Sequence, residues 1–288
     1  MKLTCVTATF NCVKAGNRER LIRCVESVTK LKTEHEHLIY DGASTDGTAE
    51  LLRELEAKIP GLKVVSERDT GIYNALNKGV RDAQGEWFYV LGADDYISHP
   101  EVMDELLANY DCDEIVTPAE TDGNFRHITL NRIFLHTPYC HQGVIQKRNA
   151  IRRFGAFDEH YAIAADYALI LKFHKACLDI RYTDCCFAYF GGGGASSTLT
   201  DRLVGEVTDI CARQFALSLQ QSRKMHAQDR VSIDVALTYF FHADYAFRYA
   251  ARIAVRAYIK DWMRIALYPL VILRRKIRDQ HLKGKITI

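Results

Sequence analysis

The sequence has no CxxC pair, only 5 prolines and 2 tryptophans among 288 residues, and no apolar run of membrane-spanning length. Its 9 cysteines stand at 5, 12, 24, 112, 140, 177, 185, 186 and 211, without Cys/His spacing of zinc-site type, and read as reduced thiols. The longest apolar run, Ile265 to Leu273, is 9 residues, whereas a helix needs roughly 20 to cross the hydrocarbon. The amino terminus, MKLTCVTATFN, passes straight into a strand pattern and lacks a signal peptide's apolar stretch and cleavage site, so a cytoplasmic location is expected. After that strand, Ala8-Thr9-Phe10-Asn11 offers no GxGxxG, which disfavours a dinucleotide oxidoreductase.

What is present is a core-forming composition, 48% hydrophobic, sized for one large α/β domain with an appendage or two small domains. The formal charge of +2 conceals an asymmetry. Residues 248 to 288 hold 11 Lys and Arg against 2 Asp and Glu, a net +9, on a body of net −7. Arg248, Arg252, Arg256, Lys260 and Arg264 recur every four residues along one slowly drifting helix face, interleaved with Tyr249, Ile253, Tyr258, Ile259, Trp262, Met263 and Leu267. Pro269 should break this helix before Arg274-Arg275-Lys276. Such a face is either solvated in a helical hairpin or seated on anionic lipid headgroups, with Tyr258, Trp262 and Tyr268 at the boundary; the second reading is favoured. Nucleic acid could also attract this charge, but no recognition motif accompanies it.

The first hundred residues alternate β-rich runs with helix-period segments, as strands joined by crossover helices do. Strands are expected at Leu3 to Phe10, His37 to Tyr40, Leu62 to Ser66 and Glu86 to Leu91, with helices at Asn17 to Leu31, Thr48 to Lys58 and Ile72 to Ala83. The run Trp87-Phe88-Tyr89-Val90-Leu91 is apolar enough to be central and buried on both faces. A helix at Glu101 to Asn109, strands near Glu114 to Thr117 and Gly143 to Gln146, a helix at Asp166 to Cys177, and strands at Ile180 to Thr183 and Phe187 to Phe190 follow. Glycines 191 to 194 close the body as a flexible loop, and the chain from Thr200 onward reads as helical.

Three consecutive strand ends carry polar groups, and ligands of open α/β sheets bind outside the carboxyl ends of strands. Tyr89 to Asp95 ends in Asp94-Asp95, which a diphosphate could meet only through a bridging Mg2+ or Mn2+. Taken alone, the pair reads better as a capped surface turn. Asp41-Gly42-Ala43-Ser44-Thr45-Asp46-Gly47-Thr48 contains a βα turn that accounts for Ser44, Asp46 and Gly47, with Asp41 left over for function. Ser66 to Gly79 places Glu67, Arg68, Asp69, Asn74, Asn77 and Lys78 after the third strand and on its helix, equally readable as a solvated helix start.

DGASTDGT, SERDTGIYNALNKG and LGADD, in this order, resemble the nucleotide-binding half of family-2 inverting glycosyltransferases with the GT-A fold, across residues 1 to 190. The resemblance implies a donor site for a UDP-sugar: Asp41 at the base, Asp69 at the nucleoside, Asp94 at the ribose or the cation, and Asp95 as the direct ligand of Mn2+ or Mg2+. Thr9, Asn77 and Lys78 are donor-side residues on the same basis. Many relatives complete a D-x-D where this chain has Gly92, and many have Asp where it has Asn74. Asp166, before Tyr167 at a helix start, corresponds to the family's catalytic base, with Asp158 and Glu159 in reserve; its plainer reading is an N-terminal helix carboxylate. His141-Gln142 matches an HQ pair that would lie between donor and acceptor. Lys147 and Arg148 could neutralise the leaving diphosphate or simply end a strand in solvent.

The expectation is therefore a GT-A domain at 1–195, with a nucleotide-sugar half at 1–98 and an acceptor half at 99–195. A helical region at 196–288 would hold it peripherally on the inner face of the membrane. The reaction expected is metal-dependent hexosyl or N-acetylhexosaminyl transfer, with inversion, to a hydroxyl of a lipid-linked saccharide in surface polysaccharide assembly. A polyprenyl-phosphate glycosyltransferase and a non-catalytic nucleotide-binding scaffold are the rivals.

Overall fold

The computed structural model describes residues 1–192, 200–240, 242 and 244–263. The expectations for Arg264, the run Ile265 to Leu273, Pro269, Arg274-Arg275-Lys276 and glycines 193 and 194 lie outside these residues.

Strand β1 (Leu3–Thr9), helix α1 (Arg18–Val28), β2 (His35–Asp41), α2 (Thr48–Glu56), β3 (Leu62–Ser66), α3 (Ile72–Asp82) and β4 (Trp87–Val90) alternate as the apolar periodicity requires. There follow β5 (Tyr96–Ile97), α4 (Pro100–Asn109), β6 (Glu114–Val116), β7 (Ala119–Thr121), β8 (Asn124–Arg126), β9 (Val144–Lys147), α5 (Arg148–Arg153), α6 (Ala165–Lys175), β10 (Ile180–Tyr182) and β11 (Ala188–Tyr189). Helices α7 (Asp201–Gln214), α8 (Leu219–Ala227), α9 (Ile233–Tyr239) and α10 (residues 245–263) complete the described chain. None of these helices is long and apolar enough to cross a membrane.

The main sheet runs β10-β6-β9-β4-β1-β2-β3. Strands β4, β1, β2 and β3 are parallel, and β9 enters antiparallel between β4 and β6. Strand order reverses between β1 and β4, and sheets of this kind bind ligands at such a point, outside the strands' carboxyl ends. Both faces are covered, as expected of β4. Trp87, Tyr89 and Leu91 pack towards α1 and α4, while Phe88 and Val90 pack towards α3 and α6. A smaller sheet, β5-β11-β7-β8, places β5 directly after Asp95 and β11 directly before Phe190-Gly191.

The helices after 200 share the domain's core. Val207, Ile210, Phe215, Val235, Phe247, Ala250 and Ala251 belong to the same buried cluster as Phe134 and Tyr167. The Phe134 and Phe247 rings stack with centroids 5.2 Å apart. Helix α10 therefore has a committed inner face; its outer face exposes Tyr245, Tyr249, Ile259 and Met263 beside Arg252, Arg256 and Lys260.

Candidate active site

The loops after β1 and β2 are tied to one another. Asn11 N–H donates to Ser44 Oγ at 2.8 Å, Lys14 N–H to Asp46 Oδ2 at 2.6 Å, and Val13 N–H to Thr48 Oγ1 at 3.1 Å. Gly47 takes φ 95°, which permits the turn into α2. Ser44, Asp46, Gly47 and Thr48 thus do the turn-building work expected of them.

Asp41, 1% exposed, pins three strand ends together. It accepts from Thr9 Oγ1 at 3.2 Å, from Ser66 Oγ at 2.6 Å, and from both the N–H and the hydroxyl of Ser44. Above it lies a cleft of about 430 Å3 lined by Phe10, Gly42, Ala43, Arg68 and Asp69. A Cβ on Gly42 would stand 3.0 Å from Asp69 Oδ2 and 3.2 Å from the Phe10 ring, so this glycine keeps the floor of the cleft open. Thr9 and Asp41 act beneath the cleft, and Asp69 lines it.

Asn77 and Lys78 are engaged elsewhere. Asn77 Nδ2 donates to Phe157 O at 2.8 Å and Glu159 Oε1 at 2.9 Å, while its Oδ1 accepts Phe157 N–H at 3.0 Å. The donor-side role assigned to Asn77 is corrected to a brace, because all three polar positions of the carboxamide already join α3 to the 157–159 segment. Asn74 Nδ2 also donates to Glu159, at 3.0 Å, which gives the departure from Asp a structural reason. These amides, Asn77 foremost, hold the Glu159 carboxyl below its usual range and make it a poor base. Lys78 pairs with Glu67 Oε1 at 2.7 Å. Lys147 and Arg148 sit at the other end of the sheet: Lys147 faces Trp87, Glu86 and Asp111, and Arg148 donates to Ala83 O.

At the end of β4 the two aspartates diverge. Asp95 is 1% exposed and its Oδ1 accepts Gly191 N–H at 2.7 Å. Burial pushes its carboxyl up to about 7; Asp94 adds to the rise, while the Gly191 N–H and the Gln142 side chain oppose it. Asp94 is half-buried, with Arg20 Nη1 4.0 Å from its Oδ2. A Cβ at Gly92 would fall 2.2 Å from Asp95 Oδ2, and one at Gly191 would fall 2.4 Å from Asp94 O. The missing D-x-D carboxylate has a physical cause: the Asp95 carboxylate occupies that space. Gly191, at the head of the glycine run, was not legible as a site residue.

Asp166 lies in the first turn of α6. Just ahead of the helix, Glu206 of α7 accepts the N–H groups of Ala162, Ile163 and Ala164 at 3.0, 2.8 and 3.0 Å. Asp166 Oδ1 accepts Tyr167 N–H at 2.8 Å and lies 3.4 Å from the Tyr73 hydroxyl, whose closer acceptor is Ile163 O at 2.7 Å. Burial, and then Asp166, raise the Tyr73 hydroxyl well above its ordinary value. Nothing in the local pattern around Tyr73 points to its place beside Asp166.

The 140–142 turn bridges the two sides. Burial pushes the Cys140 thiol up to about 12, and both Asp95 and Asp166 add to the rise. Gln142 turns its side chain to Asp95. His141 Nε2 is buried without a partner; burial lowers the imidazole and Asp166 opposes that shift. His141 and Gln142 thus stand between Asp166 and Asp95. Among the described residues no three or more His, Cys, Asp or Glu side chains form a ready-made metal cage. Two carboxylates beside a diphosphate suit Mg2+ or Mn2+, and the oxygen-only pair, with Asp95 raised by burial, fits a hard cation.

The family model described as "Glycosyl transferase family 2" matches residues 4–165. A PGL/p-HBAD biosynthesis glycosyltransferase of Mycobacterium bovis is 27% identical over 192 residues, covering 62% of this chain and 75% of that protein. Chondroitin synthase of Escherichia coli is 32% identical over 102 residues, covering 35% of this chain and 14% of that protein. Among solved structures, S. aureus TarS 1-349 in complex with UDP-GlcNAc superposes with TM-score 0.61 at 18% identity, over 79% of this chain and 71% of that one. The mannosyltransferase PcManGT from Pyrobaculum calidifontis, in complex with GDP-Man and Mn2+, has TM-score 0.54 at 16% identity, over 96% of this chain and 87% of that one.

Proposed function

The chain belongs to glycosyl transferase family 2 and has the GT-A fold, and on that premise we propose that it moves a sugar from a UDP-linked donor to a hydroxyl of a lipid-linked saccharide, with inversion at the anomeric carbon. The observation that carries this reading is that the 140–142 turn lies within electrostatic reach of both Asp95 and Asp166, with Asp94 beside Asp95 and Asp69 lining a cleft at the neighbouring strand ends. The exposed Phe10 ring and the Arg68 side chain flank a cleft suited to a planar base, and Asp69 offers its carboxylate to the nucleoside. Asp94 and Asp95 would hold Mn2+ or Mg2+, which when bound neutralises the diphosphate.

Asp166 takes the proton of the acceptor hydroxyl as its oxygen attacks the anomeric carbon, opposite the bond to the diphosphate. The Tyr167 N–H orients that carboxylate at 2.8 Å, with the Tyr73 hydroxyl 3.4 Å away beside it. His141, lowered by burial, is neutral at pH 7 and adds no competing positive charge beside the base. Asp41, with Thr9, Ser44 and Ser66, fixes the strand ends that floor the base cleft.

The outer face of α10 supports a peripheral position on an anionic membrane: Arg252, Arg256 and Lys260 share it with exposed Tyr245, Tyr249, Ile259 and Met263. The rival acceptor is a polyprenyl phosphate, whose oxygen needs no strong base. Asp166→Asn separates the two. Transfer measured as UDP release should fall about 100-fold or more with UDP affinity unchanged; retention of most of the rate would favour the phosphate acceptor.

A further inference from the structure

Away from these carboxylates, a line of buried polar side chains joins β6 to the start of α10. Glu114 on β6, 0% exposed, accepts Gln146 Nε2 at 2.6 Å and the Tyr139 hydroxyl at 2.7 Å. The Tyr139 oxygen lies 3.3 Å from Nε2 of His174, itself 0% exposed at the end of α6. His174 Nδ1 meets Asp244 Oδ2 at 3.0 Å, and Asp244 Oδ1 accepts Phe247 N–H at 2.9 Å, which caps α10. Burial raises the Glu114 carboxyl, a cost accepted only where partners satisfy it. A line of this kind, each member fixing the next, has few alternative arrangements.

Its position gives it a use. Tyr139 enters the turn that carries His141 and Gln142, the two residues facing Asp166 and Asp95. Beyond Tyr139 the turn is braced by Tyr89, whose hydroxyl donates to Gln142 O at 3.0 Å, and by Thr117 N–H on Gly143 O at 2.8 Å. No cap hydrogen bond from a side chain holds the start of the turn. The side chain that anchors its entry is Tyr139, and Tyr139 is held by Glu114 on one side and by His174 on the other.

We propose that His174 and Asp244 are positioning residues: through Tyr139 they make the seating of α10 a condition for aligning His141 and Gln142 with the catalytic carboxylates. The inference rests on the proposed role of that turn in the active site. The C-terminal helix is then a working part of the catalytic domain, coupled to the chemistry through a hydroxyl, an imidazole and a carboxylate. Packing alone would stabilise the helix; the polar line also specifies where Tyr139 stands.

The test uses the full chain with Tyr139→Phe and Asp244→Asn, which keep side-chain volume, and Asp244→Ala, which removes the acceptor. UDP release from a UDP-sugar is measured below the unfolding transition of each variant, alongside 15N spectra of the His141 imidazole. The expected result is a drop in kcat of about tenfold for Tyr139→Phe and Asp244→Ala, partial recovery in Asp244→Asn, and a shift of the His141 resonances in all three. Variants that unfold at lower temperature yet keep wild-type kcat and His141 resonances would reduce the line to a stabilising network and overturn the inference. Should the wild-type chain turn over no nucleotide-sugar, the functional reading fails by itself, and the His141 resonances still decide whether Asp244 is coupled to the turn.

Discussion

Replacing Gly92 by alanine should damage the donor site although the substitution adds one methyl group. The added Cβ would stand 2.2 Å from Asp95 Oδ2 and 3.0 Å from its Cγ, well inside contact distance. Asp95 is 1% exposed and pinned by Gly191 N–H at 2.7 Å, so its carboxylate cannot yield without losing that bond. A hydrogen bond to a charged group contributes about 1.5–3 kcal/mol, and at about 1.4 kcal/mol per tenfold the loss corresponds to roughly 10- to 100-fold weaker binding. Titration calorimetry with UDP and Mn2+ reads this directly, with circular dichroism to verify the fold. Gly92→Asp, which restores the D-x-D spelling, should also weaken binding, because the new side chain enters space that Asp95 already fills. Binding by Gly92→Ala within about twofold of wild type would refute this packing argument.

The Asp95 carboxyl, raised to about 7 by burial, is largely protonated at pH 6 and ionised at pH 8. Since a cation needs the ionised form, Mn2+ affinity should fall about tenfold between pH 8 and pH 6 with proton release on binding, and a flat profile would contradict this. Because its folded value lies above the unfolded carboxylate range, the metal-free protein should lose stability as pH rises towards and through 7, and Mn2+ should restore it in thermal unfolding. Glu159→Gln weakens the brace to Asn74 and Asn77 and should cost about 1–2 kcal/mol in urea unfolding with kcat changed by less than about threefold; a 100-fold loss of kcat would move the base role from Asp166 to Glu159. Reversing Arg252, Arg256 and Lys260 to Glu should abolish sedimentation with anionic liposomes, at about 1 kcal/mol per basic residue, and leave UDP affinity intact. Unchanged sedimentation would remove the membrane from the proposal. Deleting residues from 248 onward is the poorer test, since it takes Ala250 and Ala251 out of the core.

The strands and helices that build the donor half were legible because their apolar periods are unambiguous. β3 was placed at Leu62–Ser66, as found, and α3 within one residue. Three short strands, β5, β7 and β8, escaped notice, since two or three residues carry no period. Helix α5 hid in Arg148–Arg153, where clustered charge resembled a solvated strand end. The antiparallel entry of β9 between β4 and β6 is a matter of tertiary pairing that no local pattern encodes. In the site, carboxylates at strand ends stood out as residue types, but their division of labour did not. Whether Asp95 faces inward, whether Asn77 is free, and what Glu206 holds ahead of Asp166 are facts about neighbours 96, 80 and 43 residues away in sequence. The helical character of the chain after Thr200 was legible, while its participation in the core through Phe247 was not.

The central claim is that Asp94 and Asp95 form the cation and diphosphate end of a nucleotide-sugar site. Its most direct test is a panel of UDP-, GDP- and dTDP-sugars assayed for Mn2+-dependent release of the nucleotide by wild type and by Asp95→Ala. The expected result is release from a UDP-sugar by wild type, loss of that release on chelation of the metal, and its loss again in Asp95→Ala. Nucleotide release that persists in Asp95→Ala, or no turnover of any donor by a folded wild-type chain, would contradict it.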